Sequence, residues 1–125
     1  MKIRVYYEDT DVGGVVYHSN YLNFCERARS ELFFSAGRSP ILSGGHFVAK
    51  RIEANYIKSA KFGDVLEVKT SLLQSRNASF KLLQQIYRGE EKIFEMSIQL
   101  VYLDFEGNMA KIPDSEIEFL STTLQ

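Results

Sequence analysis

Three carboxyl groups, Glu8, Asp9 and Asp11, fall within four positions near the start of the chain. Acids this close disfavour one another's ionisation, so at least one of them should feel the charge of the others. Gly13 and Gly14 follow, and then Val15-Val16-Tyr17-His18 leads into a helical pattern. Ser19 or Asn20 offers an N-cap for that helix, whose first free N–H groups point back towards the acidic loop. A carboxylate beside a helix N-terminus places a base or nucleophile next to ready-made oxyanion donors, which is one recipe for an acyl-transfer site.

The elements that must position these groups can be read from periodicity. Lys2 to Tyr7 alternates as a strand, with Ile3, Val5 and Tyr7 on one side. From Asn20 to Ala36, Tyr21, Cys25, Ala28, Leu32 and Ala36 recur at spacings of three and four. Phe24, Phe33 and Phe34 widen that stripe, which suits a helix wrapped by a sheet. Gly37 reads as the residue past its end, and Pro40 prevents continuation. Four β-rich runs follow, Phe47–Lys58, Val65–Gln74, Ala78–Arg88 and Lys92–Leu103, with Gly, Asn and Asp turns between them. Clean alternation in the last run, from Phe94 to Tyr102, indicates an antiparallel sheet with one solvated face. Met109–Ile112 reads as a short strand and Asp114–Leu120 as a final helical turn or two. One helix against the concave face of one curled sheet is the economical packing, an α+β domain of about five strands covering residues 1–125.

Composition narrows the function classes. The chain has 125 residues, 45% of them hydrophobic and 25% charged, enough for one domain with its own core. A formal net charge of −1 argues against a nucleic-acid partner. Cys25 is the only cysteine, so no internal disulfide or cysteine-based zinc site can form, and a reducing cytoplasm is the expected location. His18 and His46 do not suggest a metal site. No apolar run approaches the ~20 residues a transmembrane helix needs.

The residues Tyr6-Tyr7-Glu8-Asp9-Thr10-Asp11, Gly14-Val15-Val16-Tyr17-His18, Asn20-Tyr21 and Glu26-Arg27-Ala28-Arg29 resemble the signature of the 4-hydroxybenzoyl-CoA thioesterase family, which has the hotdog fold. Within it they are similar to the acyl-CoA thioesterase branch associated with the bacterial Tol-Pal system. The resemblance implies hydrolysis of an acyl-CoA, or of an acyl carrier protein thioester, with no cofactor beyond the CoA of the substrate. It also implies a homodimer with a continuous double sheet, often paired into a homotetramer, and active sites at the protomer boundary.

By that match Asp11 is the expected catalytic carboxylate, as a general base on water or as a nucleophile. Read alone, an Asp-x-x-Gly is more often a turn residue. The resemblance points to backbone N–H groups near the helix start as the oxyanion donors, with His18 the best match and Gly14, Val15 and Tyr17 shaping the loop. The His18 imidazole and the Tyr7 hydroxyl are further catalytic candidates, each with an ordinary structural role as its alternative. Glu8 and Asp9 are rival carboxylates, with Asp9 able to brace the loop. Asn20, Lys58, Lys61 and Arg76 are candidate substrate contacts, the cations for CoA phosphates. Glu26 and Arg29 read as structural charges needing partners, and Cys25 as a small core residue. A non-hydrolysing thioester-binding or scaffold protein on the same fold is the rival reading, and a hotdog dehydratase a third.

Overall fold

The structure, a computed structural model, describes residues 1–124. Its elements in chain order are β1 (Lys2–Arg4), a 3-10 turn (Tyr7–Asp9), α1 (Asn20–Ser35), β2 (Gly45–Tyr56), β3 (Val65–Ser75), β4 (Ser79–Arg88), β5 (Glu91–Asp104) and α2 (Asp114–Thr123). The five strands form one antiparallel sheet in the order β1-β3-β4-β5-β2. Register shifts between Ala49 and Arg51 in β2 and between Leu72 and Gln74 in β3 bend the long strands and help the sheet curl.

Helix α1 packs into that curl, as its wide apolar stripe predicts. Tyr21, Phe24, Cys25, Ala28 and Phe33 are buried in one cluster with Leu66, Leu82, Ile86, Phe94, Met96 and Ile98 of the sheet. Burying each large apolar side chain stabilises the fold by about 1.5–3 kcal/mol, so this single cluster holds α1 in place. At its C-terminus, Gly37 takes φ +71° while the N–H of Arg38 donates to the carbonyl of Phe33 (2.8 Å) and that of Gly37 to Phe34 (3.0 Å). Those two bonds satisfy carbonyls the helix leaves open.

Three expectations are corrected. The first strand ends at Arg4, and Tyr7, expected beside Ile3 and Val5, is 79% exposed. The chain turns there because the Asp9 carboxylate accepts the Tyr6 N–H (2.8 Å), which curls Tyr7–Asp9 into a 3-10 turn. Met109–Ile112 forms no strand, only a single bridge between Met109 and Leu103. Ala36, placed on the helix stripe, is exposed, because α1 ends at Ser35 and Ala36 is already the residue that caps it.

Strand β2 is an edge. It pairs with β5 on one side, and its residues from Ala49 to Tyr56 are all exposed, Ile52 among them. No helix among the described residues is long and apolar enough to cross a membrane.

Candidate active site

The acidic loop is held by Asp9. Its side chain is only 4% exposed and accepts the Tyr6 N–H through Oδ2 and the Asn20 Nδ2 amide through Oδ1, both at 2.8 Å. Its carbonyl accepts the Tyr17 N–H (2.9 Å). One acid thereby ties the end of the first segment to the entrance of α1. The N-cap position is Ser19, and its side chain makes no capping bond. Asn20, expected as a cap or a substrate contact, is the partner of Asp9 and accepts from Asn23 Nδ2 (2.8 Å).

Asp11 lies on the other side of this loop, exposed to solvent. Its Oδ1 accepts the Gly13 N–H (2.8 Å), and its carbonyl accepts the Gly14 N–H (3.0 Å). A Cβ on Gly13 would come within 3.2 Å of that same Oδ1, and Gly14 has φ +79°. The Gly pair is therefore needed to fold the chain tightly around the carboxylate. The loop closes through the Asp11 N–H to the Val15 carbonyl (2.9 Å), and Val15 is bridged to Lys61.

Asp11, Val15, Val16 and His18 line one cavity of ≈ 320 Å³ with Tyr56 and Lys58. The His18 ring lies against Tyr17, with centroids 4.4 Å apart. The His18 carbonyl accepts the Tyr56 hydroxyl (2.6 Å), while the His18 N–H donates to no protein group among the described residues. An exposed acid and a residue whose N–H has no internal acceptor thus line one surface cavity beside the start of a helix.

The other expected contacts are divided. Tyr7 stacks on Phe62, with centroids 4.4 Å apart, and does not line the Asp11 cavity. Lys58 lines that cavity, and its Nζ is 2.9 Å from Glu91. Glu91 also pairs with Arg88, which in turn holds Asp64 (3.0 Å). Burial pushes the Asp64 carboxyl up, but hydrogen bonds from the Lys61 N–H and Arg88 outweigh it and hold the group below its ordinary value. Hydrogen bonds from Lys58 and Arg88 likewise lower Glu91. Lys61 is exposed beside the loop. Arg76 sits in the β3–β4 turn, at the opposite end of the sheet from Lys58 and Arg88. Within one chain the structure does not bring it to Asp11.

Beneath α1 lies a polar network in which Arg29, expected to need a partner, finds one in Gln84, a residue the sequence did not single out. Gln84 is fully buried and accepts from Arg29 Nη1 (2.9 Å). Its amide donates to the Cys25 carbonyl (2.9 Å) and to Thr70 Oγ1 (3.2 Å). Burial lowers the Arg29 pKa from its ordinary value, opposed by Cys25 and Glu26. Burial pushes the Cys25 thiol up to about 12, against the lowering effect of Arg29, which makes it inert core at neutral pH. A second, largely apolar groove of ≈ 700 Å³ opens on the far half of α1, lined by Phe33, Phe34, Ile41, Phe47, Leu82 and Leu100 among others.

Residues 13–95 match the thioesterase superfamily. The chain belongs to that superfamily. It is similar to the acyl-CoA thioesterase YbgC of Helicobacter pylori, 49% identical over 87 residues, 70% of this chain and 65% of that protein. That match spans slightly less than two thirds of the relative's length. It is also similar to the acyl-CoA thioester hydrolase YbgC of Escherichia coli O157:H7, 36% identical over 107 residues, 82% of this chain and 79% of that one. Among solved structures, a probable thioesterase from Bartonella henselae superposes with a TM-score of 0.85 at 32% identity, covering 90% of this chain and 97% of that one. The superfamily and the observed helix in a curled five-stranded sheet agree on the hotdog fold.

Proposed function

We propose that the chain hydrolyses the thioester of an acyl-CoA, or of an acyl carrier protein, to free acid and thiol. The observation that carries this reading is the shared cavity: Asp11 and His18, whose N–H has no acceptor among the described residues, line one space at the start of α1. Asp11 activates water as a general base or attacks the carbonyl directly, and the backbone donors receive the charge that develops on oxygen. The relatives named acyl-CoA thioesterases support the substrate class. This chemistry needs no cofactor beyond the CoA of the substrate.

The exposed β2 edge supports a second copy as partner. A 12-residue strand with one unpaired side invites another strand, and pairing with its own copy removes the hazard. Antiparallel pairing of two β2 strands sets the far end of one protomer against the Asp11 end of its partner. The acyl chain is then assigned to the apolar groove at that boundary, the phosphates to Lys58 and Lys61, and Arg76 is left to act across protomers, in a dimer or a tetramer built from two dimers. The rival, a thioester-binding scaffold without turnover, draws on the Gly13–Asp11 bond, which by itself is an ordinary turn.

Free-thiol release from a panel of acyl-CoAs, short to long chain plus benzoyl, tests the reading with wild type and Asp11→Asn side by side. Asp11→Asn is expected to keep the fold and the oligomer mass while losing at least ~100-fold in rate. Turnover that survives the substitution removes Asp11 from the mechanism, and no turnover by wild type on CoA or carrier-protein thioesters favours the scaffold.

A further inference from the structure

We propose that Tyr56 is a positioning residue for hydrolysis, its hydroxyl setting the oxyanion donors at the entrance of α1. The proposal rests on the function proposed above. Tyr56 is the last residue of β2, 38 residues from His18 in sequence, yet its hydroxyl donates to the His18 carbonyl at 2.6 Å. That carbonyl belongs to the peptide joining His18 to Ser19. Fixing it restrains the rotation of this peptide and of the one before it, which carries the His18 N–H.

The entrance of α1 needs such a strut. Ser19 provides no side-chain cap. Other restraints come from the Asp9 side, through the Asp9–Asn20 bond and the Tyr17 N–H to the Asp9 carbonyl, and from the Val16 N–H to the Ala60 carbonyl (2.9 Å) further from His18. Tyr56 is the side chain from the sheet that bonds His18 itself. Its ring is set edge-on against Tyr21 (5.5 Å) and Phe94 (5.0 Å), both buried in the core. The phenol oxygen is therefore placed by the core, and the loop is adjusted to it. Half of the side chain remains exposed and forms a wall of the cavity that holds Asp11. Burial, together with Tyr21 and Cys25, raises the Tyr56 pKa above its ordinary value of 10.0, so the hydroxyl remains a donor at neutral pH.

A donor that is slightly misplaced fails the transition state more than the bound substrate, so the defect falls on kcat. Removing an oxyanion donor outright costs about 10²–10³-fold, and loosening one costs part of that. Tyr56→Phe is expected to lower kcat ~10-fold with KM within ~2-fold and the melting temperature within a few degrees. Tyr56→p-aminophenylalanine retains an N–H donor at the same place and is expected to restore most of kcat.

Asp11→Asn is measured in the same series. If Asp11→Asn is inactive while Tyr56→Phe turns over like wild type, the positioning role is refuted and the thioesterase reading stands. If Asp11→Asn keeps full activity, the active-site reading itself fails. Loss in Tyr56→Phe that follows loss of folded protein by circular dichroism, or that p-aminophenylalanine does not repair, also refutes the positioning role.

Discussion

Asp9 and Asp11 are two residues apart and should respond to substitution in opposite ways. Asp9→Ala removes a buried carboxylate that accepts two bonds, from the Tyr6 N–H and the Asn20 amide. Hydrogen bonds to a charged group contribute about 1.5–3 kcal/mol each. Tyr6 is more than half exposed, so water can take up part of the loss there, and the lower end of that range applies. The expected cost is about 3 kcal/mol, a large fraction of the 5–15 kcal/mol typical of a domain. Urea unfolding followed by circular dichroism reads this as a lower midpoint with an unchanged slope. Because Asn20 opens α1, residual activity at low urea should also fall, in proportion to the loosened helix entrance. Asp11→Asn, by contrast, touches one exposed turn bond and should leave the midpoint nearly unmoved. An Asp9→Ala protein as stable as wild type but unable to hydrolyse thioester would refute the assignment and make Asp9 the reacting acid.

Two further outcomes follow from the ion and polar networks. Gln84→Leu leaves Arg29 and the Cys25 carbonyl without their partner beneath α1, and is expected to destabilise the fold by ~2–4 kcal/mol in the same urea assay, while Gln85→Leu, on the half-buried neighbouring position, costs much less. Asp64 and Glu91 both have folded pKa values below their ordinary 3.8 and 4.5, so the unfolded chain binds more protons as the pH falls through that interval. Their contribution is complete above pH 4.5 and lost below it as the depressed values are crossed. Arg88→Met is expected to lower stability at pH 7 and flatten this acid-side loss, and equal pH profiles for mutant and wild type would show that Arg88 does not hold the pair.

Much of the architecture is written in local pattern. Spacings of three and four from Tyr21 to Leu32 locate α1, alternation from Phe94 to Tyr102 locates β5, and Gly37 marks the helix end. These signals survive without tertiary context because each depends only on residues within a turn or a strand. The acidic loop was legible for the same reason, since Asp11, Gly13 and Gly14 close on one another. The first strand misled because alternation continued to Tyr7 while Asp9, from beyond the pattern, captured the Tyr6 N–H and turned the chain.

What the tertiary structure decided is which distant groups meet. β-rich composition put Tyr56 in a strand but could not aim its hydroxyl at His18, 38 residues away. Gln84 is a polar residue of β4, yet it is fully buried and satisfied from its sheet neighbour Thr70 and from Arg29 and Cys25, the latter two contacts created only when α1 lies down on the sheet. Of the three acids in the loop, the sequence pointed to Asp11 by resemblance and left Glu8 and Asp9 as rivals, with Asp9 able to brace the loop. Packing separated them, drawing Asp9 inside against Asn20 and leaving Asp11 at the cavity with His18. Residue type and spacing set which local conformations are cheap; the desolvation and pairing of a polar group depend on neighbours that only the closed sheet and helix bring together.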